Sequence, residues 1–211
     1  MNQKIQELLS KGIAEVGLQV PEEQLDKLLA FLSLLKKWNA TFNLSGVSDI
    51  ESMVSLHLLD SLAINPYLKG DTFVDFGSGG GLPGIPLAIL NPKKKFVLID
   101  SNGKKTRFLF QVRTELCLDN VSVENCRIEH YQNKQQIDMV MCRAFSTLED
   151  AVNKLQPLLS GNCSLLAMKG IYPEEEISNL PSGFEVSMIT KLEVPGISSQ
   201  RHVLEVKKNH V

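Results

Sequence analysis

The stretch Val74-Asp75-Phe76-Gly77-Ser78-Gly79-Gly80-Gly81-Leu82-Pro83-Gly84-Ile85-Pro86 places five glycines and two prolines directly after an apolar run. Glycine loses more conformational freedom on folding than any other residue, so such density marks backbone that needs positive φ or must approach another group closely. Thr72–Phe76 before it reads as a short buried strand, and Pro83 or Pro86 marks the start of a helix. Strand, glycine loop and helix make the first βα turn of a nucleotide-binding sheet, where a ligand lies against main chain.

Downstream of residue 72, short β-rich runs alternate with helical patterns. Strands are expected at Thr72–Phe76, Phe96–Ile99, Val121–Glu124, Met139–Met141 and Ser164–Met168, with helices near 83–91, 103–117, 147–159 and 173–180. That alternation means βαβ units and a mostly parallel sheet. Phe184–Leu192 and His202–Lys207 read as a final antiparallel pair. Upstream, residues 2–17, 22–39 and 49–63 carry helical apolar periodicity, the second opening on Pro21-Glu22-Glu23 and the third after Ser48 as N-cap. The expected fold is α/β and Rossmann-like, with a helical N-terminal extension over 1–65 packed on a core domain over 66–211.

Composition narrows the class. The chain has 211 residues, 43% hydrophobic and 22% charged, ordinary for a globular protein with one sizeable core. No apolar run is long enough to cross a bilayer, and the start lacks a signal-peptide core, so a cytoplasmic protein is expected. Cys117, Cys126, Cys142 and Cys163 show neither CxxC nor metal-type spacing, which fits reduced thiols and no metal. Net charge is −2, yet residues 91–113 hold Lys93, Lys94, Lys95, Lys104, Lys105, Arg107 and Arg113 against Asp100 alone. Such a run suits an anionic partner and equally suits a solvated surface.

Two cofactor patterns fit the loop. Gly79-x-Gly81-x-x-Gly84 matches the dinucleotide fingerprint, and Asp75-x-Gly77-x-Gly79-x-Gly81 matches that of S-adenosylmethionine-dependent methyltransferases. Asp100, ending the second strand, could hold a ribose diol in either. Asp75 separates them: a carboxylate at the loop suits the ammonium of S-adenosylmethionine and would repel a pyrophosphate. The methyl donor is therefore favoured, with a nicotinamide enzyme left as a distant alternative.

The chain as a whole carries Asn43-Leu44-Ser45, His57-x-x-Asp60-Ser61, the glycine loop, Leu98-Ile99-Asp100-Ser101, Lys104-Lys105-x-x-Phe108-Leu109, Arg127-Ile128-Glu129, Cys142-Arg143-Ala144, Lys169-Gly170 and Arg201-His202, in that order. It resembles the bacterial 16S ribosomal RNA guanine-N7 methyltransferases, also called glucose-inhibited division protein B. It departs at Ser45, where threonine is frequent, and at Cys142, where serine is frequent; neither position looks chemically essential. The resemblance implies a class I methyltransferase that moves a methyl group from S-adenosylmethionine to a guanine N7 near the decoding site, acting as a monomer on 16S rRNA or the small ribosomal subunit. It implies cofactor contacts at Gly77, Leu82, Asp100, Ile128, Glu129 and Arg143, to which the reading of the glycine loop adds Asp75, Ser78 and Gly79. Lys104, Lys105, Lys169 and Arg201 are candidate RNA contacts, with Lys93–Lys95 as further phosphate holders.

The chemistry agrees with this. Guanine N7 offers an in-plane lone pair and carries no proton, so its methylation needs alignment and tolerance of positive charge rather than a general base. No catalytic dyad is evident, and the (D/N)PP(Y/F) motif of exocyclic-amine methylation is replaced by Met141-Cys142-Arg143-Ala144. Cys142 lacks the Pro-Cys dipeptide of cytosine-C5 enzymes and reads as a small buried residue. Arg143 is the candidate catalytic residue, against a purely structural salt bridge to Asp138, Glu129 or another strand-end carboxylate. His57, Asp60 and Ser61 imitate a hydrolase triad but lie within one helical turn with no nucleophile elbow. His57 reads as a packing or cleft residue, and Trp38 as core. A methyltransferase with a small-molecule or protein acceptor, and a non-catalytic RNA-binding module, remain open alternatives.

Overall fold

Among the described residues, seven strands form one sheet in the order β3-β2-β1-β4-β5-β7-β6, in which only β7 runs against the rest. The computed structural model describes residues 3–132, 135–145 and 147–209; Asn2 of the first expected helix lies outside them. The strands are β1 (Thr72–Phe76), β2 (Lys95–Ile99), β3 (Val121–Glu124), β4 (Met139–Arg143), β5 (Ser164–Lys169), β6 (Phe184–Lys191) and β7 (His202–Lys208). The expected antiparallel final pair is present, with β7 inserted between β5 and β6. β4 runs two residues beyond the expected end, which puts Arg143 on the last strand position.

Side chains alternate across the pleat, so each central strand feeds two cores. Phe73, Phe96, Leu98, Met139 and Met141 face one side. Val74, Val97, Val140 and Leu165 face the other, against Leu148, Val152 and Leu155 of helix α7 (Leu148–Leu155). Burial on both faces is why these strands read as continuous apolar runs rather than alternating ones.

The first core is closed by α1 (Gln3–Glu15), α2 (Glu22–Phe42), α5 (Gly84–Leu90) and α6 (Gly103–Glu115). Phe31 of α2 is fully buried, and its ring lies 6.4 Å from that of Phe108 in α6. Trp38 packs on Phe108 and Phe42, at 5.6 and 5.0 Å, as a core-edge residue. Residues from 5 to 64 and the sheet thus contribute to one continuous apolar cluster.

The third expected helix is broken in character. It runs as α3 (Ile50–Met53), a π-helical turn (Val54–Leu59) and α4 (Asp60–Leu62). Its N-cap is Asp49 rather than Ser48: the Asp49 carboxylate accepts from the Ser52 N–H at 2.8 Å. A π turn inserts one extra residue and re-aims the side chains around it, and such turns concentrate at functional sites. Here it carries His57 and hands on to Asp60, both buried.

The basic run does not form a single face. Lys93, Lys94 and Lys95 lie at the amino end of β2, one strand length, roughly 16 Å, from Asp100 at its carboxyl end. Lys94 is held over the Phe73 ring, 5.3 Å from its centroid. Lys104 and Lys105 open α6 at the opposite edge of the sheet.

Because Phe31 bridges the helical layer to α6, Phe31→Ala should destabilise by about 3–5 kcal/mol. Chemical denaturation followed by far-ultraviolet and tryptophan signals should show one earlier transition of the whole chain, not a separate melting of the first 65 residues.

Candidate active site

β1 is the point where the chain reverses direction across the sheet, with β2 on one side and β4 on the other. Ligands in open α/β sheets bind in the crevice outside the carboxyl ends at such a point. Phe76 pairs in register with Cys142, so the glycine loop and the turn after Arg143 leave the sheet side by side.

The loop is shaped around Asp75. This carboxylate is 1% exposed, and its Oδ2 accepts from the Gly84 N–H at 2.9 Å. Gly84 must be glycine, because a Cβ there would stand 2.6 Å from that oxygen. The other oxygen, Oδ1, is buried without a partner among the described residues. Burial pushes the Asp75 carboxyl up to about 7. A buried acceptor with nothing to accept from is costly unless a ligand supplies a donor. Gly77 follows with φ +68°, and a Cβ on it would meet nothing within 4 Å, so the backbone faces open space.

That space is a cavity of about 430 Å³ lined by Gly77, Asp100, Ile128, Glu129, Phe145 and Lys154, among others. Asp100 is fixed at its edge by the N–H groups of Gly79 (2.9 Å) and Asn102 (2.8 Å), with the Lys105 ammonium 3.8 Å away. Ile128 and Glu129 open a short 3₁₀ turn, Ile128–His130, whose first N–H groups have no partner within the turn. The donor set fits S-adenosylmethionine: an orphan carboxylate oxygen for the ammonium, an acidic side chain for the ribose diol and main-chain groups for the adenine edge.

The expected cofactor residues are thus divided. Gly77, Asp100, Ile128 and Glu129 line this cavity, whereas Asp75 backs the loop from beneath. The Ser78 hydroxyl is turned inward, donating to the Asp75 carbonyl at 2.8 Å, and Gly79 holds Asp100; both shape the loop. Leu82 joins the apolar core. Arg143 lies in a second and larger cavity, about 780 Å³, with His57, Asp60, Lys169 and Arg201.

There the π turn meets the sheet. Arg143 donates to the Leu56 carbonyl (2.9 Å) and to Asp60 Oδ2 (3.1 Å), while Arg201 donates through Nε to Asp60 Oδ1 (3.0 Å). The partner of Arg143 is therefore Asp60, not Asp138 or Glu129. Asp138 instead accepts from the N–H groups of Asp71 and Thr72. Burial lowers His57 to about 4, helped by the neighbouring Arg143, so its imidazole is neutral. Its Nδ1 lies 3.5 Å from the Arg143 guanidinium, and its Nε2 is 2.6 Å from Ser45 Oγ. We assign the proton to Nε2, which makes Ser45 the acceptor and gives that position a role in the site that its sequence did not disclose. Ser61 Oγ is buried with no partner among the described residues, so no triad forms there.

Of the candidate RNA contacts, Lys104 is exposed, and Lys105 borders the smaller cavity. Lys169 is half-buried and paired with Glu176 at 2.7 Å, and Arg201 is engaged by Asp60. Cys142 is buried, and burial raises its thiol to about 12, far from a nucleophilic thiolate. Among the described residues no helix is long and apolar enough to cross a membrane.

The model of the family rRNA small subunit methyltransferase G matches residues 24–204, and the chain belongs to that family. It is 46% identical over 211 residues to ribosomal RNA small subunit methyltransferase G of Ectopseudomonas mendocina (strain ymp), covering 99% of each chain. To the protein of that name from Pseudomonas aeruginosa (strain LESB58) it is 48% identical over 201 residues, 95% of this chain and 94% of the other. Among solved structures, magnesium protoporphyrin IX methyltransferase from Synechocystis with bound S-adenosylmethionine superposes with a TM-score of 0.59 at 14% identity, covering 84% of this chain and 97% of that one. An M1A22 tRNA methyltransferase from B. subtilis gives 0.56 at 14% identity, over 71% and 65%. These two establish the shared methyltransferase fold.

Gly77→Ala should project a methyl into the open space at a left-handed position, costing about 1–2 kcal/mol of stability. Calorimetry should find binding of S-adenosylmethionine lost while the fold persists. Asp75→Asn gives a pH signature. A carboxyl raised to about 7 in the fold holds its proton longer than in the unfolded chain, so this group lowers the stability of the free protein as pH rises from about 4 to 7, by roughly 4 kcal/mol at most. The asparagine variant should remove that decline. In the wild type, cofactor affinity should fall as pH drops below about 7 and the carboxylate is protonated, whereas in Asp75→Asn it should be weak and independent of this group.

Proposed function

We propose that this member of the rRNA small subunit methyltransferase G family transfers a methyl group from S-adenosylmethionine to N7 of a guanine in 16S rRNA. The observation that carries the reading is the pair of cavities meeting at the β1–β4 crevice, one with a nucleoside donor set and one with a neutral histidine and an arginine. The family membership supports small-subunit rRNA as the acceptor. A substrate in the small ribosomal subunit supports a cytoplasmic site of action.

When bound, S-adenosylmethionine supplies a methyl group activated on a positively charged sulfur. Asp100 would take its ribose hydroxyls and the main chain of Ile128 and Glu129 its adenine, Gly77 would leave room for the methionyl arm, and the Asp75 carboxylate would draw its ammonium by charge from beneath the loop. Arg143, stiffened by Asp60 and the Leu56 carbonyl, presents its guanidinium to the acceptor cavity. There it can donate to guanine O6, which lies beside N7 on the same edge and is the usual partner of arginine. His57 is a poor base at about 4 with both ring nitrogens engaged. N7 needs no base, so a site without one is suited to it and poorly suited to exocyclic amines. Lys105, at the border of the smaller cavity, and the exposed Lys104 beside it would serve as phosphate contacts, with the salt dependence such contacts confer.

Small subunits lacking their N7 methyl groups, incubated with labelled S-adenosylmethionine, should yield 7-methylguanosine on nuclease digestion of the 16S rRNA. Label in another nucleoside would overturn the assigned atom, and no label in RNA would overturn the acceptor. Arg143→Ala should cut turnover by about a hundredfold or more, in the range of removing a preorganised donor. Turnover near wild type would return Arg143 to a structural role.

A further inference from the structure

Phe145 lines both cavities, and no other described residue does. Its neighbours hold it firmly. Ala144 before it sits at φ +56°, a left-handed conformation that a residue with a Cβ adopts only where the surroundings impose it. The Phe145 carbonyl accepts from Lys169 Nζ at 3.4 Å. Its ring leans on Phe76, with centroids 4.8 Å apart and planes tilted by 46°. The Lys154 ammonium, at the border of the smaller cavity, stands 4.9 Å from the ring centroid, so the π cloud already holds a cation on that side.

The proposed reaction carries a positive charge past this ring. N7 donates its lone pair to form the N–CH₃ bond as the S–CH₃ bond breaks, and the electron pair of the broken bond stays on sulfur. The sulfonium becomes a neutral thioether, the guanine becomes a cation, and no proton moves. We propose that the acceptor guanine lies against Phe145 and that the ring's π-face stabilises the positive charge as it passes to the purine. An aromatic face attracts a cation through its quadrupole, and an interaction that strengthens as the purine becomes charged lowers the barrier rather than only tightening binding. The inference rests on the guanine-N7 reading above.

A graded fluorination of Phe145 keeps its shape while draining its π charge. At saturating S-adenosylmethionine, turnover on undermodified small subunits should fall stepwise with each added fluorine, by about tenfold across the series. A second readout needs no turnover. At mildly acidic pH, where 7-methylguanine keeps its charge, the wild type should bind a stem-loop carrying 7-methylguanosine more tightly than one carrying guanosine, and Phe145→Leu should erase the preference. Level turnover across the fluorinated series, or a preference surviving Phe145→Leu, would overturn the role of the ring. A wild type that makes no 7-methylguanosine would instead sink the reading beneath it.

Discussion

A single buried carboxylate organises the donor half of the site. Asp75 lies under the glycine loop with one oxygen tied to the start of α5 and the other unmatched. Desolvating a carboxylate without a full set of donors is unfavourable, and the protein tolerates this because α5 directs its positive end at the charge. The geometry then follows. Gly84 has no side chain because the carboxylate occupies that space, and Gly77 turns outward to open the cavity that a positively charged ligand completes. The cost borne by the free protein is the preorganisation that binding recovers.

The acceptor half depends on a different device, the π turn at Val54–Leu59. Asp60, one residue past it, clamps Arg143 at the end of β4 and Arg201 just before β7. One acidic side chain from the helical layer thus fixes two cations from the sheet. Removing one member of such a buried network strands the others and costs more than the network is worth as a whole. The N-terminal helices are accordingly part of the site and not merely a cover, since without them Arg143 would be free to swing away from the crevice.

The sheet was legible because its strands are apolar runs bounded by glycine and proline, and because a βα alternation admits few topologies. The glycine loop was legible as a ligand site for the same stereochemical reason that makes glycine rare elsewhere. Asp100, Ile128 and Glu129 were reached through the family resemblance and fall on the cavity wall. Ser78 and Leu82 were expected at the cofactor but turn inward, since sequence order cannot say which face of a tight loop a side chain takes. The Asp60 clamp was hidden for a different reason: its partners lie 83 and 141 positions away in sequence, and no local pattern announces a π turn. Lys93–Lys95 looked continuous with Lys104 and Lys105, yet a strand between them carries the two groups to opposite edges of the sheet.

The central claim is that donor and acceptor meet between the carboxyl ends of β1 and β4. It is tested most directly by a structure of the chain with S-adenosylhomocysteine and a guanosine-bearing stem-loop of small-subunit rRNA. The account predicts the homocysteine ammonium at Asp75, the adenosine between Asp100 and Ile128, and a guanine in the cavity of Arg143 with its N7 edge turned toward the sulfur. A guanine bound elsewhere on the surface, or one presenting another edge to the sulfur, would contradict it.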